Sequence, residues 1–90
     1  MNTQTAEHIK TKNKEELTSA LILFNDEVNT FDYVIEQLIE FCHHDELQAE
    51  QCALIAHFNN QCIIKQGKFT DIKKLFGILS DKGLTLEIKY

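Results

Sequence analysis

Arginine is absent from this chain, and so is proline. The formal net charge is -5 at pH 7. A nucleic-acid-binding domain of this size is normally basic, so that class is disfavoured. No run of about 18 uninterrupted apolar residues exists, so no membrane-spanning helix is expected. With 90 residues there is room for one domain, which excludes a two-lobed cofactor enzyme. The glycines at 67, 77 and 83 are scattered and form no phosphate-cradling loop. The cysteines, Cys42, Cys52 and Cys62, are odd in number, and no apolar signal-peptide region precedes them in MNTQTAEHIKTKNKEE. The expectation is a cytoplasmic protein with reduced thiols.

What is present has a globular balance: 43% hydrophobic and 26% charged residues. The charge is unevenly spread. Lysine is missing from Glu15 to Ile64, a stretch rich in acids, whereas six lysines and three acids follow from Lys65 onward. The acidic part should attract a cation or an ammonium group, although a solvated acidic helix face explains the composition as well.

Residues 1–17 are polar and read as a flexible N-terminal extension; residues 18–90 read as the core domain. Ser19–Phe24 (SALILF) is too short an apolar run for a helix and reads as a buried strand. Asn29 is expected to cap a first helix over about 30–42, with Phe31, Val34, Ile35, Leu38 and Cys42 at helical spacing. Asp45 with Gln48 is a capping-box pattern opening a second helix over about 46–58. In it Leu47, Leu54, Ile55 and Phe58 form one stripe, and Ala49, Cys52 and Ala56 a small-residue face for close helix packing. Ala53 and His57 share a further face with Glu46 and Glu50.

Asn59-Asn60 signals a turn, and Cys62-Ile63-Ile64 opens a second strand that ends at Gly67. Thr70 or Asp71 is expected to cap a third helix with core residues Ile72, Leu75, Phe76 and Leu79, and Gly83 fits its C-terminal glycine position. Leu84, Leu86 and Ile88 alternate with polar residues as a third strand. The resulting fold class is α+β, a two-layer β-α-α-β-α-β arrangement with a small three-stranded sheet and helices on one face. Strands two and three, joined through a helix, should run parallel, with strand one between them.

Cys42, His43, His44 and Cys52 are zinc-ligand types, but their spacing matches no common zinc pattern, and no metal or other cofactor is expected. None of the cysteines sits where thiolates are activated, so no catalytic residue is assigned. The remaining cluster is Asn25-Asp26-Glu27 at the end of strand one, with His57 near the end of helix two. Amide carbonyl, carboxylate and neutral imidazole all accept hydrogen bonds. Beside apolar Phe31, Val34 and Ala53 they would suit an ammonium carried on a hydrophobic side chain. Spacing alone favours an ordinary strand-end loop and a histidine capping helix carbonyls.

The segment LILFNDEVNTFDYVIEQL resembles the signature of the ClpS family, adaptor proteins of the ATP-dependent Clp protease. That signature reads as an apolar strand, then N-D-D-x-T-P-M-x-x-V, with a second helix ending in a V-H-Y-like motif, here Ala56-His57-Phe58. The spacing from Asn25 to His57 fits without a gap, and IIKQGKFTDIKKLFGILSDKGLTLEI resembles a compact form of the family's C-terminal half. The resemblance covers about residues 18–89. It implies a non-enzymatic adaptor for N-degron substrates, proteins that begin with Leu, Phe, Tyr or Trp. It also implies an AAA+ unfoldase partner of the ClpA or ClpC type, feeding ClpP.

By the same resemblance, Asn25, Glu27 and His57 would bind the α-amino group. Asp26 matches the first Asp of the motif, Asn29 takes the place of its Thr, Phe31 that of the Met, and Val34 is the pocket-wall Val. Ala53 replaces a second pocket Met, and Leu84 matches a wall residue from the last strand. Neither nucleic acid nor membrane is expected as a partner, and a monomer is the default. The alternative is a scaffold domain resembling the C-terminal domain of the ribosomal stalk protein. It would bind through a helix face and need no free α-amino group. A small metal or thiol protein using the Cys and His residues is a third possibility.

Overall fold

A computed structural model describes residues 17–90. The elements follow in the order β1 (Thr18–Phe24), α1 (Phe31–Cys42), α2 (Glu46–Asn59), β2 (Gln61–Lys68), α3 (Phe69–Asp81) and β3 (Leu86–Lys89). The expected extension lies, up to residue 16, outside the described residues. Leu17 is already tied to the fold, because its carbonyl accepts a hydrogen bond from the Phe69 N–H at 2.9 Å.

The strands form one sheet in the order β2-β1-β3, and β1 is antiparallel to both neighbours. β2 and β3 therefore run in the same direction on either side of β1, as expected of two strands joined through a helix. Alternation along β1 sends Leu21 and Leu23 into the core, where Leu38, Ala49, Ala56, Ile72 and Leu79 of the three helices meet them. A register shift between Leu21 and Ile22 leaves Ile64 of β2 unpaired: Leu21 faces Lys65, and Ile22 faces Ile63. This bulge lets Ile64 join the core while neighbouring Ile63 stays exposed.

Local chemistry sets the helix ends. Thr30, not Asn29, caps α1: its Oγ1 accepts from the Tyr33 N–H at 3.1 Å. Asn29 cannot cap because its side chain is engaged elsewhere, as described below. At the other end His43 adopts a left-handed conformation (φ 59°) and its N–H reaches the Leu38 carbonyl. Asp45 caps α2 as expected, accepting from the Gln48 N–H at 2.7 Å. α3 begins earlier than expected, with Lys68 at its cap position and no side-chain cap. Thr70 and Asp71 are not needed as caps because the Leu17 carbonyl already takes up the Phe69 N–H. Gly83 ends the helix region at φ 92°, with its N–H on Ser80 O and the Leu84 N–H on Leu79 O. β3 starts at Leu86, so Leu84 precedes the strand and is buried in the core.

The apolar stripe expected on α2 is solvent-facing: Leu47 is 63% and Phe58 74% exposed. The helix packs through Ala49 and Ala56 of the expected small-residue face, joined by Ala53. Methyl-only side chains allow the close approach that the larger residues would block.

Candidate functional site

β1 and β2 are joined across their ends by the Asn25 N–H, which donates to the Asn60 carbonyl at 2.9 Å. Asn60 lies in the left-handed region (φ 74°) just after α2, so this bond draws the end of β1 toward the end of α2. His57 stands on the last turn of that helix. A cleft of about 620 Å³ opens between these two ends and the start of α1. Asn25, Asp26, Glu27 and Asn29 line it from the loop, Phe31 and Val34 from α1, and Ala53 and His57 from α2. The fold thus gathers these eight sequence-derived residues around one opening. Leu84 is not among the lining residues and sits in the core.

The loop is fixed by Asp26. Its Oδ1 accepts from the N–H groups of Val28 (2.9 Å) and Asn29 (2.8 Å). Its Oδ2 accepts from Asn29 Nδ2 at 2.9 Å and from the Thr85 hydroxyl at 3.2 Å. Asn29 Nδ2 also donates to the Gly83 carbonyl at 2.9 Å. The Tyr33 hydroxyl donates to the Lys82 carbonyl at 2.6 Å. The loop and the first turn of α1 are therefore latched to the corner between α3 and β3. Partial burial works against the ionised Asp26, but the hydrogen bonds from Asn29, Val28 and Thr85 outweigh it and hold its pKa below the ordinary 3.8.

The polar groups aimed at the cleft differ from Asp26. Among the described residues, the side chains of Asn25, Glu27 and His57 have no hydrogen-bond partner in the protein. The His57 ring stands edge-on to Phe58, with centroids 4.8 Å apart. All lining residues fall between Leu23 and Phe58, inside the stretch that contains no lysine. Two carboxylates and no ammonium group therefore contribute to an opening that sets Asn25, Asn29 and His57 beside apolar side chains, an arrangement that favours a cation attached to an apolar body.

Sequence reasoning did not single out Leu23, Phe24 and Leu54 as part of this site, although they line it. Nor did it identify Tyr33 and Thr85 as latch residues. The latch partners lie 49 and 59 positions away in the chain, so no spacing rule could have found them.

The cysteine and histidine cluster does not assemble into a second site. Among the described residues, no group of three His, Cys, Asp or Glu side chains is placed to hold a metal ion. Burial pushes the Cys42 thiol up to about 11 against the opposing pull of the Lys65 charge. Burial, then the neighbouring Cys62, pushes Cys52 up to about 12. His44 is buried with Nε2 at 2.8 Å from the Ile64 carbonyl.

Comparison with known proteins agrees with this architecture. Agrobacterium tumefaciens ClpS2, solved bound to L-phenylalaninamide, shares the fold with a TM-score of 0.71 at 14% identity, over 82% of this chain and 96% of that one. The ATP-dependent Clp protease adapter protein ClpS of Campylobacter jejuni subsp. doylei is 36% identical over 85 residues, covering 83% of this chain and 86% of the relative. Residues 13–87 match the family model described as ATP-dependent Clp protease adaptor protein ClpS. This family is non-catalytic, so the protein is not an enzyme. On these matches, the chain belongs to the ClpS family of Clp protease adaptors.

Proposed function

We propose that the cleft captures the free N-terminal residue of N-degron substrates, and that the chain delivers them to an AAA+ unfoldase of the ClpA or ClpC type. One observation carries this reading: Asn25, Glu27 and His57 present unpartnered acceptors at the mouth of an apolar cleft. An α-ammonium brings three donors and a full charge, and it matches that set. A peptide bond or an acetylated terminus lacks the charge and leaves acceptors unpaired, so it is rejected.

An aromatic side chain buries about 150–250 Å². At about 25 cal/mol per Å² this contributes about 4–6 kcal/mol before the cost of association. Together with charge-assisted hydrogen bonds the result is a Kd near micromolar, about -8 kcal/mol, which permits release to a downstream machine. The solved neighbour's ligand, L-phenylalaninamide, carries both a free α-amino group and a benzyl side chain. That supports the same chemistry here. The proposed setting is the cytoplasm, in line with three free cysteines; among the described residues no helix is long and apolar enough to cross a membrane.

The test is fluorescence anisotropy with a peptide beginning with Phe, its N-acetylated twin and a Met-starting twin. The expected outcome is micromolar binding of the free Phe terminus only, weakened at least tenfold in Asn25→Ala. Equal binding of the free and acetylated peptides would overturn the reading. It would favour a scaffold that binds through the exposed α2 face, where Leu47 and Phe58 project into solvent.

A further inference from the structure

Part of the cleft lining is small and buried. Ala53 and Ala56 are three positions apart on α2 and 5% and 4% exposed. They line the cleft together with Leu23 and Val34. The larger residues that line it, Leu54, His57 and Phe58 of α2 and Phe31 of α1, are exposed. Two methyl groups among the buried lining contribute little to filling a cleft of about 620 Å³.

We infer that this site selects aromatic N-terminal residues, Trp, Phe and Tyr, over Leu, and that Ala53 is the residue that sets the preference. The inference rests on the N-degron reading and deepens it. Two physical arguments lead to it. First, beside the methyl groups of Ala53 and Ala56 a leucine side chain leaves more of the cleft unfilled than an aromatic one, and lining atoms without a partner lose those contacts outright. An aromatic ring, with its larger area, fills more of that space. Second, the exposed part of the lining is aromatic. Phe31 and Phe58 both line the cleft and are exposed, and the His57 ring already meets Phe58 edge-on at 4.8 Å. A guest ring can enter the same edge-to-face geometry, whereas an aliphatic guest gains only area.

The experiment uses the full chain and three peptides that differ only in the first residue, Trp, Phe or Leu, each with an N-acetylated control. Anisotropy gives the affinities for the wild type and for Ala53→Met, whose fold is checked by circular dichroism. The expected result is binding of Trp and Phe about tenfold tighter than Leu by the wild type, the scale on which apolar pockets discriminate. In Ala53→Met the longer side chain takes up part of the cleft, and the preference falls below about threefold. Leu binding as tight as Trp to the wild type, with acetylated peptides still rejected, would overturn this inference and leave the adaptor reading standing. An unchanged preference in a folded Ala53→Met protein would remove the role of Ala53. If no free terminus were preferred over its acetylated twin, both readings would fall.

Discussion

Asp26 commits both carboxylate oxygens to the chain, whereas Glu27 beside it commits neither; one acid builds the loop and its neighbour is the one proposed to meet the α-ammonium. Because the folded pKa of Asp26 lies below its ordinary 3.8, its contribution is fully present above about pH 4 and is lost as pH falls through the lower folded value. Asp26→Ala removes several hydrogen bonds to a charged acceptor and is expected to cost about 1–3 kcal/mol at pH 7. Thermal melts of both proteins should converge as the pH drops below that of the folded carboxyl group, and a constant gap would refute the assignment.

The thiols offer a second check at this scale. With Cys42 near 11 and Cys52 near 12, both remain protonated at neutral pH. Iodoacetamide should label these two at least tenfold more slowly in the native protein than in urea, as read by mass spectrometry.

At the scale of elements, the periodicities in the sequence located all six, yet three details escaped them. The cap of α1 moved from Asn29 to Thr30 because a partner 54 positions away, the Gly83 carbonyl, holds the Asn29 amide. The start of α3 moved because a backbone carbonyl substitutes for a side-chain cap. On α2 the small-residue face packs inward as expected of Ala49 and Ala56, but it also takes in Ala53, which the sequence groups with Glu46 and Glu50, since close approach rewards small volume.

The site shows the same division. Residue type and spacing at Asn25, Glu27 and His57 alone favour an ordinary loop, and only the family resemblance singles the three out; that they line one opening, that Leu23 and Leu54 join its wall, and that Leu84 sits in the core emerge only once the sheet and helices are in place. Gly83 tests an element boundary. A Cβ there would lie 3.8 Å from Asn29 Oδ1, an ordinary contact, so crowding is not the obstacle. The positive φ is, and Gly83→Ala should cost about 1–2 kcal/mol. For a domain of this size that lowers Tm by about 4–8 °C per kcal/mol, measurable by calorimetry.

The whole molecule separates two regions of charge. The cleft draws on the stretch without lysine, and all the lysines among the described residues lie at or beyond Lys65. For the proposed handover, the polar segment before Leu17 is a candidate for contact with the unfoldase. Deleting residues 1–16 leaves the Leu17 carbonyl in place for Phe69. The shortened chain should bind a Phe-starting peptide within about twofold of the full chain, yet support slower degradation of a reporter bearing that terminus, in a reconstituted unfoldase and peptidase assay. Full-rate degradation would exclude a role for the segment.

The latch has a further meaning when the chain is followed in the order of its synthesis. Every residue that lines the cleft has been made once Phe58 is added, but the distant groups that latch its loop, the carbonyls of Lys82 and Gly83 and the hydroxyl of Thr85, are made only after the whole of β2 and α3. A nascent chain that stops short of Lys82 owns all the walls of its binding site and none of the distant fastenings.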